Sequence, residues 1–306
     1  MTDPTSTPGF RVEAIDYTRG VDDLRAVREP VFVQEQQVPL ELEWDDLDPL
    51  CAHVIARDDS GRPIGTARLT PERKIGRMAV LREWRGRGVG DALLRALVAE
   101  AQARQWPEVS LHAQVSAYAF YARHGFVPVG GRFMEAGIEH QSMRRRLRGA
   151  TDIESPEAAC AIVCGIVAGT RRTLSIYSRA LDPGLFDTPE VLEALRSLAT
   201  RRQRIEIRIL LQDAAAAQRA HAPLIPLAQR LSSVFLFREV ADPVDRGYAS
   251  AYVVNDATGY YFRPLGNRYD GEGDVDGAGR ARQLAEAFQP VWERSRQVTE
   301  YRSLGL

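Results

Sequence analysis

The stretch Arg77 to Ala101, RMAVLREWRGRGVGDALLRALVAEA, constrains the fold more than any other part of the chain. Gly86, Gly88 and Gly90 alternate with Arg and Val between an apolar strand-like run and a long helical pattern. Glycine has no Cβ, so the backbone can turn tightly there and a ligand can approach it closely. Beyond the glycines, Ala92, Leu93, Ala96, Leu97 and Val98 repeat at helical spacing. A strand, a glycine turn and a helix start together form an anion site, because unbonded N–H groups and the helix dipole converge on it. A glycine turn alone would read as a plain strand-to-helix connection; the flanking Arg85 and Arg87 shift the reading towards phosphate. The P-loop is excluded because no Gly-Lys-Ser/Thr follows. The dinucleotide fingerprint is excluded because the glycines fall at every second position and no acidic residue ends a strand about 20 residues later.

The spacing that does fit is R-x-x-G-x-G, here Arg85, Gly88 and Gly90, and it resembles the pyrophosphate loop of the GNAT superfamily of acetyl-CoA-dependent N-acetyltransferases. A second stretch, AQVSAYAFYARHGF, is similar to the GNAT pattern N-x-x-A-x-x-F-Y-x-x-x-G-F through Ala117, Phe120, Tyr121, Gly125 and Phe126, with Gln114 in place of Asn. The segments FVQEQQVP and FMEAGIEHQSM resemble the ends of a compact bacterial GNAT branch, so the likeness spans residues 10–148. The resemblance implies an acetyl-CoA cosubstrate, no metal, and transfer to a primary amine through a tetrahedral intermediate. Met78, Ala79 and Val80 would pair with the pantetheine, and a backbone N–H at Ala79 or Val80 would hold the oxyanion. Arg85, Gly86, Arg87, Gly88, Val89, Gly90 and Asp91 would cradle the pyrophosphate, with Gln114 and Phe120 also on the cofactor. Tyr121 would be the general acid; taken alone it reads as a Tyr packed on an apolar helix face. An ammonium of pKa near ~10.4 must lose a proton before it attacks, so a base is needed. Glu35, His53, Glu135 and His140 are its candidates, each with a structural role open to it. The acidic run Glu41, Glu43, Asp45, Asp46 and Asp48 reads as a solvated loop or as an attractor of a cationic amine. A rival from another class is an acyl-CoA-binding regulatory protein without turnover.

The 306 residues suggest two domains. The elements of the first alternate as β-α-β-β-β-α-β-α-β-β, with a helix over 22–33 broken by Pro30. Residues 1–9 read as a disordered tail, 149–156 as a linker and 157–306 as a second α/β domain, in which strands alternate with helices. That half weakly resembles a degenerate phospholipase D-like half-domain. Aligned on Asp256, Ala249 and Ala251 stand where its His and Lys would be, which points to a non-catalytic domain used for docking, acceptor selection or a homodimer. Residues 270–279 read as a flexible loop. Net charge is −1, which argues against a general nucleic-acid binder. Three cysteines are too few for a disulfide framework, and Cys160 and Cys164 read as buried thiols. No apolar run is long enough to cross a bilayer, and a cytoplasmic location is expected.

Overall fold

The computed structural model describes residues 9–301, so the expected tail lies, apart from Gly9, outside the described residues. The chain packs as two compact units: residues up to His112 with Gly131–Arg148, and Ala113–Gly130 with Gly149 onward.

The first sheet begins with β1 (Phe10–Ile15), followed by α1 (Tyr17–Arg28). The Asp16 carboxylate accepts from the Arg19 N–H and starts α1 five residues before the expected position. Pro30 does not break the helix. It sits near the start of a π-helical turn, Glu29–Glu35, where the missing proline N–H is tolerated and Gln36 N–H donates to Val31 O at 3.1 Å. After α2 (Leu40–Glu43) come β2 (Ala52–Asp58), β3 (Pro63–Leu69) and β4 (Lys74–Val80). Then follow α3 (Val89–Ala103), β5 (Glu108–Gln114), α4 (Tyr118–Arg123), β6 (Val127–Glu135) and β7 (Ile138–Arg146). The strand order is β1-β2-β3-β4-β5-β7-β6. Leu93, Leu94, Leu97 and Val98 bury the inner face of α3, the apolar stripe visible in the sequence. Val27 and Val31 pack with Ala79 and Leu81, which seats the π-helical turn beside β4.

The second sheet has the order β15-β11-β10-β9-β12-β13-β14-β8. Its first strand, β8 (Thr151–Ile153), lies inside the expected linker. It is followed by α5 (Pro156–Gly169), β9 (Thr173–Ser178), α6 (Pro189–Ala199) and β10 (Glu206–Leu211). Next are α7 (Ala214–Arg219), α8 (Leu224–Arg230), β11 (Phe235–Glu239) and α9 (Pro243–Arg246). The end of the chain forms β12 (Ala251–Asn255), β13 (Tyr260–Arg263), β14 (Gly271–Asp274), α10 (Ala278–Arg294) and β15 (Arg296–Gln297). The stretch expected as a flexible loop therefore supplies β14, which pairs with β13 on one side and β8 on the other. Strands β9, β10 and β11 are parallel, whereas β12 runs antiparallel to β9. The helix α5 is buried nearly all round, as its continuous apolar sequence requires. Among the described residues no helix is long and apolar enough to cross a membrane.

Candidate functional site

The glycine loop has the geometry its sequence demands. Gly86 and Gly88 have φ of +73° and +84°, a region that side chains with a Cβ rarely enter, and open space surrounds the place where a Cβ would stand. Gly88 is the N-cap of α3 and offers no side-chain oxygen. The first intrahelical bond runs from Ala92 N–H to Gly88 O at 3.0 Å, so the N–H groups of Val89 and Gly90 precede the helical ladder. A Cβ on Gly65 would meet Val89 Cγ1 at 2.9 Å, which shows how closely the start of α3 approaches β3.

Strand β4 enters this loop with an interrupted edge. It pairs with the parallel β5 at Lys74–Ser110 and Ile75–Leu111. On its other side the register with β3 shifts between Thr66 and Arg68, opposite Arg77, whose φ is +50°. Leu81 N–H donates to Ile64 O at 3.0 Å, so strand alternation turns Ala79 toward β3 as well and Val80 toward the opposite side. The Val80 carbonyl there accepts from Arg85 Nε at 3.0 Å. The rest of the Arg85 fork is bidentate to Glu35, at 2.7 and 2.8 Å. The guanidinium expected on a pyrophosphate is thus engaged within the protein, while exposed Arg87 lies over the Trp84 ring at 5.0 Å.

The four base candidates separate by environment. The Arg85 hydrogen bond holds the Glu35 carboxyl below its ordinary value, which makes it a poor base. His53 is buried; its Nε2 lies 2.7 Å from Asp48 O, and burial keeps its pKa below the usual value. It is a core imidazole. His140 is buried too, with Nδ1 2.9 Å from Ile138 O and its ring stacked on Phe133. Glu135 is exposed, and its Oε2 lies 2.9 Å from His112 Nδ1. Burial acts to raise Glu135, but His112 and neighbouring cations outweigh it and leave its pKa lowered. Lys74 Nζ is 3.1 Å from the same His112 nitrogen, and burial lowers its pKa. His112 and Lys74 were not singled out from the sequence, although alternation in EVSLHAQ already turns His112 away from the buried Val109, Leu111 and Ala113.

The acidic run is not a solvated loop throughout. Glu43 is 2% exposed and Asp48 0%, and both are bound by Arg28, itself 1% exposed. Arg28 donates to Glu43 Oε1 at 2.5 Å and to Asp48 at 2.9 and 3.1 Å, and its guanidinium lies 4.0 Å from the Trp44 ring centroid. Arg68 joins Asp48 to Asp45, and Arg77 reaches Glu43 and Asp45. Burial pushes Glu43 up despite its arginines, whereas in Asp48 the two arginines outweigh burial and lower the pKa. These three carboxylates are therefore committed to the protein; Glu41 and Asp46 remain exposed.

Tyr121 lies on α4, with ring contacts to Phe120 at 5.0 Å and Phe126 at 5.9 Å. Desolvation raises its phenol to about 12, so it carries its proton at neutral pH. Gly125 ends the helix with φ +78°, and a Cβ there would meet Val275 Cγ2 at 2.7 Å. In the second half, burial raises the thiols of Cys160 and Cys164, the latter to about 12. Asp256 accepts from the N–H groups of Arg171 and Arg172 at 2.9 and 2.8 Å, a structural role. Ala249 and Ala251 offer no reactive group.

Comparison with known proteins adds family information. Residues 44–147 match the acetyltransferase (GNAT) domain family, and residues 155–304 match a domain of unknown function, DUF7931. An uncharacterized N-acetyltransferase of Bacillus subtilis, YjcF, is 36% identical over 123 residues, covering 39% of this chain and 87% of its own. A UPF0039 protein of Mycobacterium tuberculosis is 35% identical over 146 residues, covering 45% of this chain and 90% of its own. Among solved structures, an acyl-CoA N-acyltransferase from Pseudomonas aeruginosa is 31% identical with a TM-score of 0.40, covering 44% of this chain and 99% of its own.

Proposed function

Because this chain belongs to the GNAT acetyltransferase family, and so is an acyltransferase with an acyl-CoA cosubstrate, we propose that it moves an acetyl group from acetyl-CoA to a primary amine by direct attack. The observation that carries this reading is the passage from β4 through the left-handed Gly86 and Gly88 into the uncapped start of α3. Backbone N–H groups and the helix dipole, not the Arg85 side chain, supply the pyrophosphate field. Arg85 instead fixes the loop to Glu35 and to the end of β4. Pantetheine pairs along Met78–Val80 in the manner of an added strand. Strand alternation favours the Val80 N–H over that of Ala79 as the oxyanion donor.

Among the ionisable groups of this domain, the Glu135–His112 pair best suits a base. With Nδ1–H donating to the Glu135 carboxylate, and not Nδ1 accepting from Lys74 Nζ, Nε2 is the acceptor for the ammonium proton. Tyr121, protonated at neutral pH, supplies the proton to the departing thiolate. The free amine attacks the thioester carbonyl carbon, the carbon–sulfur bond breaks, and an amide and CoA thiol result. The domain matched at 155–304 takes no part in this chemistry and serves docking or acceptor selection.

The test is CoA-thiol release from acetyl-CoA with a panel of primary amines, including peptide N-termini, lysine side chains and small polyamines. His112→Asn should lower kcat by roughly 10²–10⁴, the scale of one general base, with CoA affinity held within a few-fold. Tight CoA binding with no thiol release for any amine would favour the regulatory alternative. Full activity in His112→Asn would remove the imidazole from the mechanism.

A further inference from the structure

The second sheet carries a cleft of about 600 Å³ at the carboxyl ends of its parallel strands. The topology explains its position. From β9 the chain moves outward through α6 to β10 and β11, then returns to place β12 on the opposite side of β9. The strand order thus reverses at β9, and in open α/β sheets ligands bind at such a switch point, beyond the carboxyl ends of the strands. Arg179 follows β9, Gln212 and Asp213 follow β10, Glu239 ends β11, and Ser250 precedes β12; all line the cleft.

The two arginines of these walls are not paired with the two carboxylates. Arg179 is exposed and forms no ion pair with any described residue. Arg246 donates its Nε to Val240 O at 2.9 Å, and it too has no carboxylate partner among the described residues. Both carboxylates of the cleft are committed elsewhere. Asp213 caps α7 by accepting from the Ala216 N–H at 2.7 Å. Glu239 accepts from the Ala214 N–H and is paired with Arg296. The short helix α9 that carries Arg246 is fixed in place: Asp245 takes a bidentate bond from Arg294, at 2.6 Å on both oxygens, and the Tyr177 hydroxyl donates to the Asp245 carbonyl. Asn267 adds an amide with no partner among the described residues, and exposed Tyr248 and Leu265 add an aromatic and an apolar surface.

We propose that this cleft binds a small phosphomonoester and does not cleave it. Two guanidinium forks and an amide suit a dianion with three acceptor oxygens. The volume admits an organic body of nucleotide size, which Tyr248 and Leu265 would cover. No His, Cys or Lys lines the cleft, and the Ser250 hydroxyl donates to Pro264 O at 3.0 Å, so no nucleophile is paired with a base. The second half is therefore a receptor for an anionic ligand, and its site lies wholly within that unit.

The experiment uses the full chain and calorimetric titration with inorganic phosphate, adenosine 5′-monophosphate, adenosine and benzoate. Gly88→Asp, which disables the helix-start anion site of the other unit, and the double variant Arg179→Gln/Arg246→Gln are titrated in parallel. The expected result is binding of phosphate and the monophosphate that persists in Gly88→Asp and weakens at least tenfold in the arginine variant. Adenosine and benzoate should bind at least tenfold more weakly than the monophosphate. CoA affinity in the arginine variant should equal that of the wild type, which also shows that the variant is folded. Any of three outcomes would overturn the proposal: binding that disappears in Gly88→Asp and survives in the arginine variant, benzoate binding as well as phosphate, or release of phosphate from the monophosphate. Loss of CoA binding in Gly88→Asp tests the acyl-CoA loop and leaves this cleft untouched, so the two readings fail separately.

Discussion

With φ at +84° and open space where a Cβ would stand, replacing Gly88 is a matter of strain and charge, not of collision. Gly88→Ala should cost about 1–2 kcal/mol for a left-handed non-glycine residue and weaken CoA binding modestly. Gly88→Asp should abolish CoA binding, because a carboxylate would occupy the anion position at the start of α3. Calorimetry with CoA and urea unfolding of both variants would check this, and equal CoA affinity in Gly88→Asp would remove the loop assignment. Tyr121 poses a chemical question instead. With its pKa near 12, the phenol stays protonated through the whole neutral range. Tyr121→Phe should therefore slow kcat by roughly 10²–10⁴ at every pH between 6 and 9, with CoA affinity changed only a few-fold. A third residue reports on stability. Burial lowers the His53 pKa, so the folded state binds this proton less well than the unfolded state. The stabilisation is complete above the unfolded value of about 6.5 and is lost as pH falls through the folded value. Asp48 has the same sign but acts at lower pH, below its ordinary 3.8. The urea midpoint should drop between pH 7.5 and 5.5, and His53→Gln should shrink that drop; an unchanged difference would count against His53 as the source.

At the scale of elements, α5 rests directly on the backbone of α4. A Cβ on Gly165 would stand 3.0 Å from Ala122 O and 3.0 Å from Val275 Cγ1. A carbonyl cannot swing aside as a side-chain tip can, so Gly165→Val should cost about 1–3 kcal/mol, the range of overpacked cores. Thermal unfolding would measure it, and an unchanged Tm would show that α4 and α5 part more easily than this geometry implies. The same elements show what the sequence made legible. The helical spacing of Leu93, Leu97 and Val98 after the glycines was legible because these side chains bury one face of α3. The π-helical turn at Pro30 was not legible, because it depends on Val27 and Val31 packing against Ala79 and Leu81, far along the chain. Strand β14, GEGD, has no apolar pattern at all; neighbours on both sides make it a strand. In the site, the glycine loop could be read because φ restricts residue type. The Arg28–Glu43–Asp48 cluster and the His112–Glu135 pair could not, since each joins residues brought together only by the sheet.

For the molecule as a whole, chain order and packing divide the protein differently. Residues 113–130 continue the acetyltransferase sequence pattern, yet they pack in the same compact unit as residues 149 onward. Within that unit Gly125 sits against Val275, Gly165 closes on Ala122, and the Tyr118 hydroxyl reaches the Glu157 carbonyl at 3.4 Å. All three partners lie beyond Arg148. A chain ended after Arg148 would keep β4, the glycine loop and α3 but would strip α4 of the helix that covers it. Burying an apolar side chain is worth roughly 1.5–3 kcal/mol, so losing several such contacts around α4 approaches the whole stability of a small domain. The truncated chain should therefore unfold at a Tm many degrees below that of the full protein. If it remains soluble, it should lose far more in kcat than in CoA affinity, because α4 carries Tyr121. Adding residues 149–306 back as a separate chain should restore little, since the segment to be packed interrupts the other unit in sequence. Equal Tm and equal kcat/KM for the truncated and full-length proteins would show instead that α4 holds its place without α5, and would leave the second half free for a role of its own.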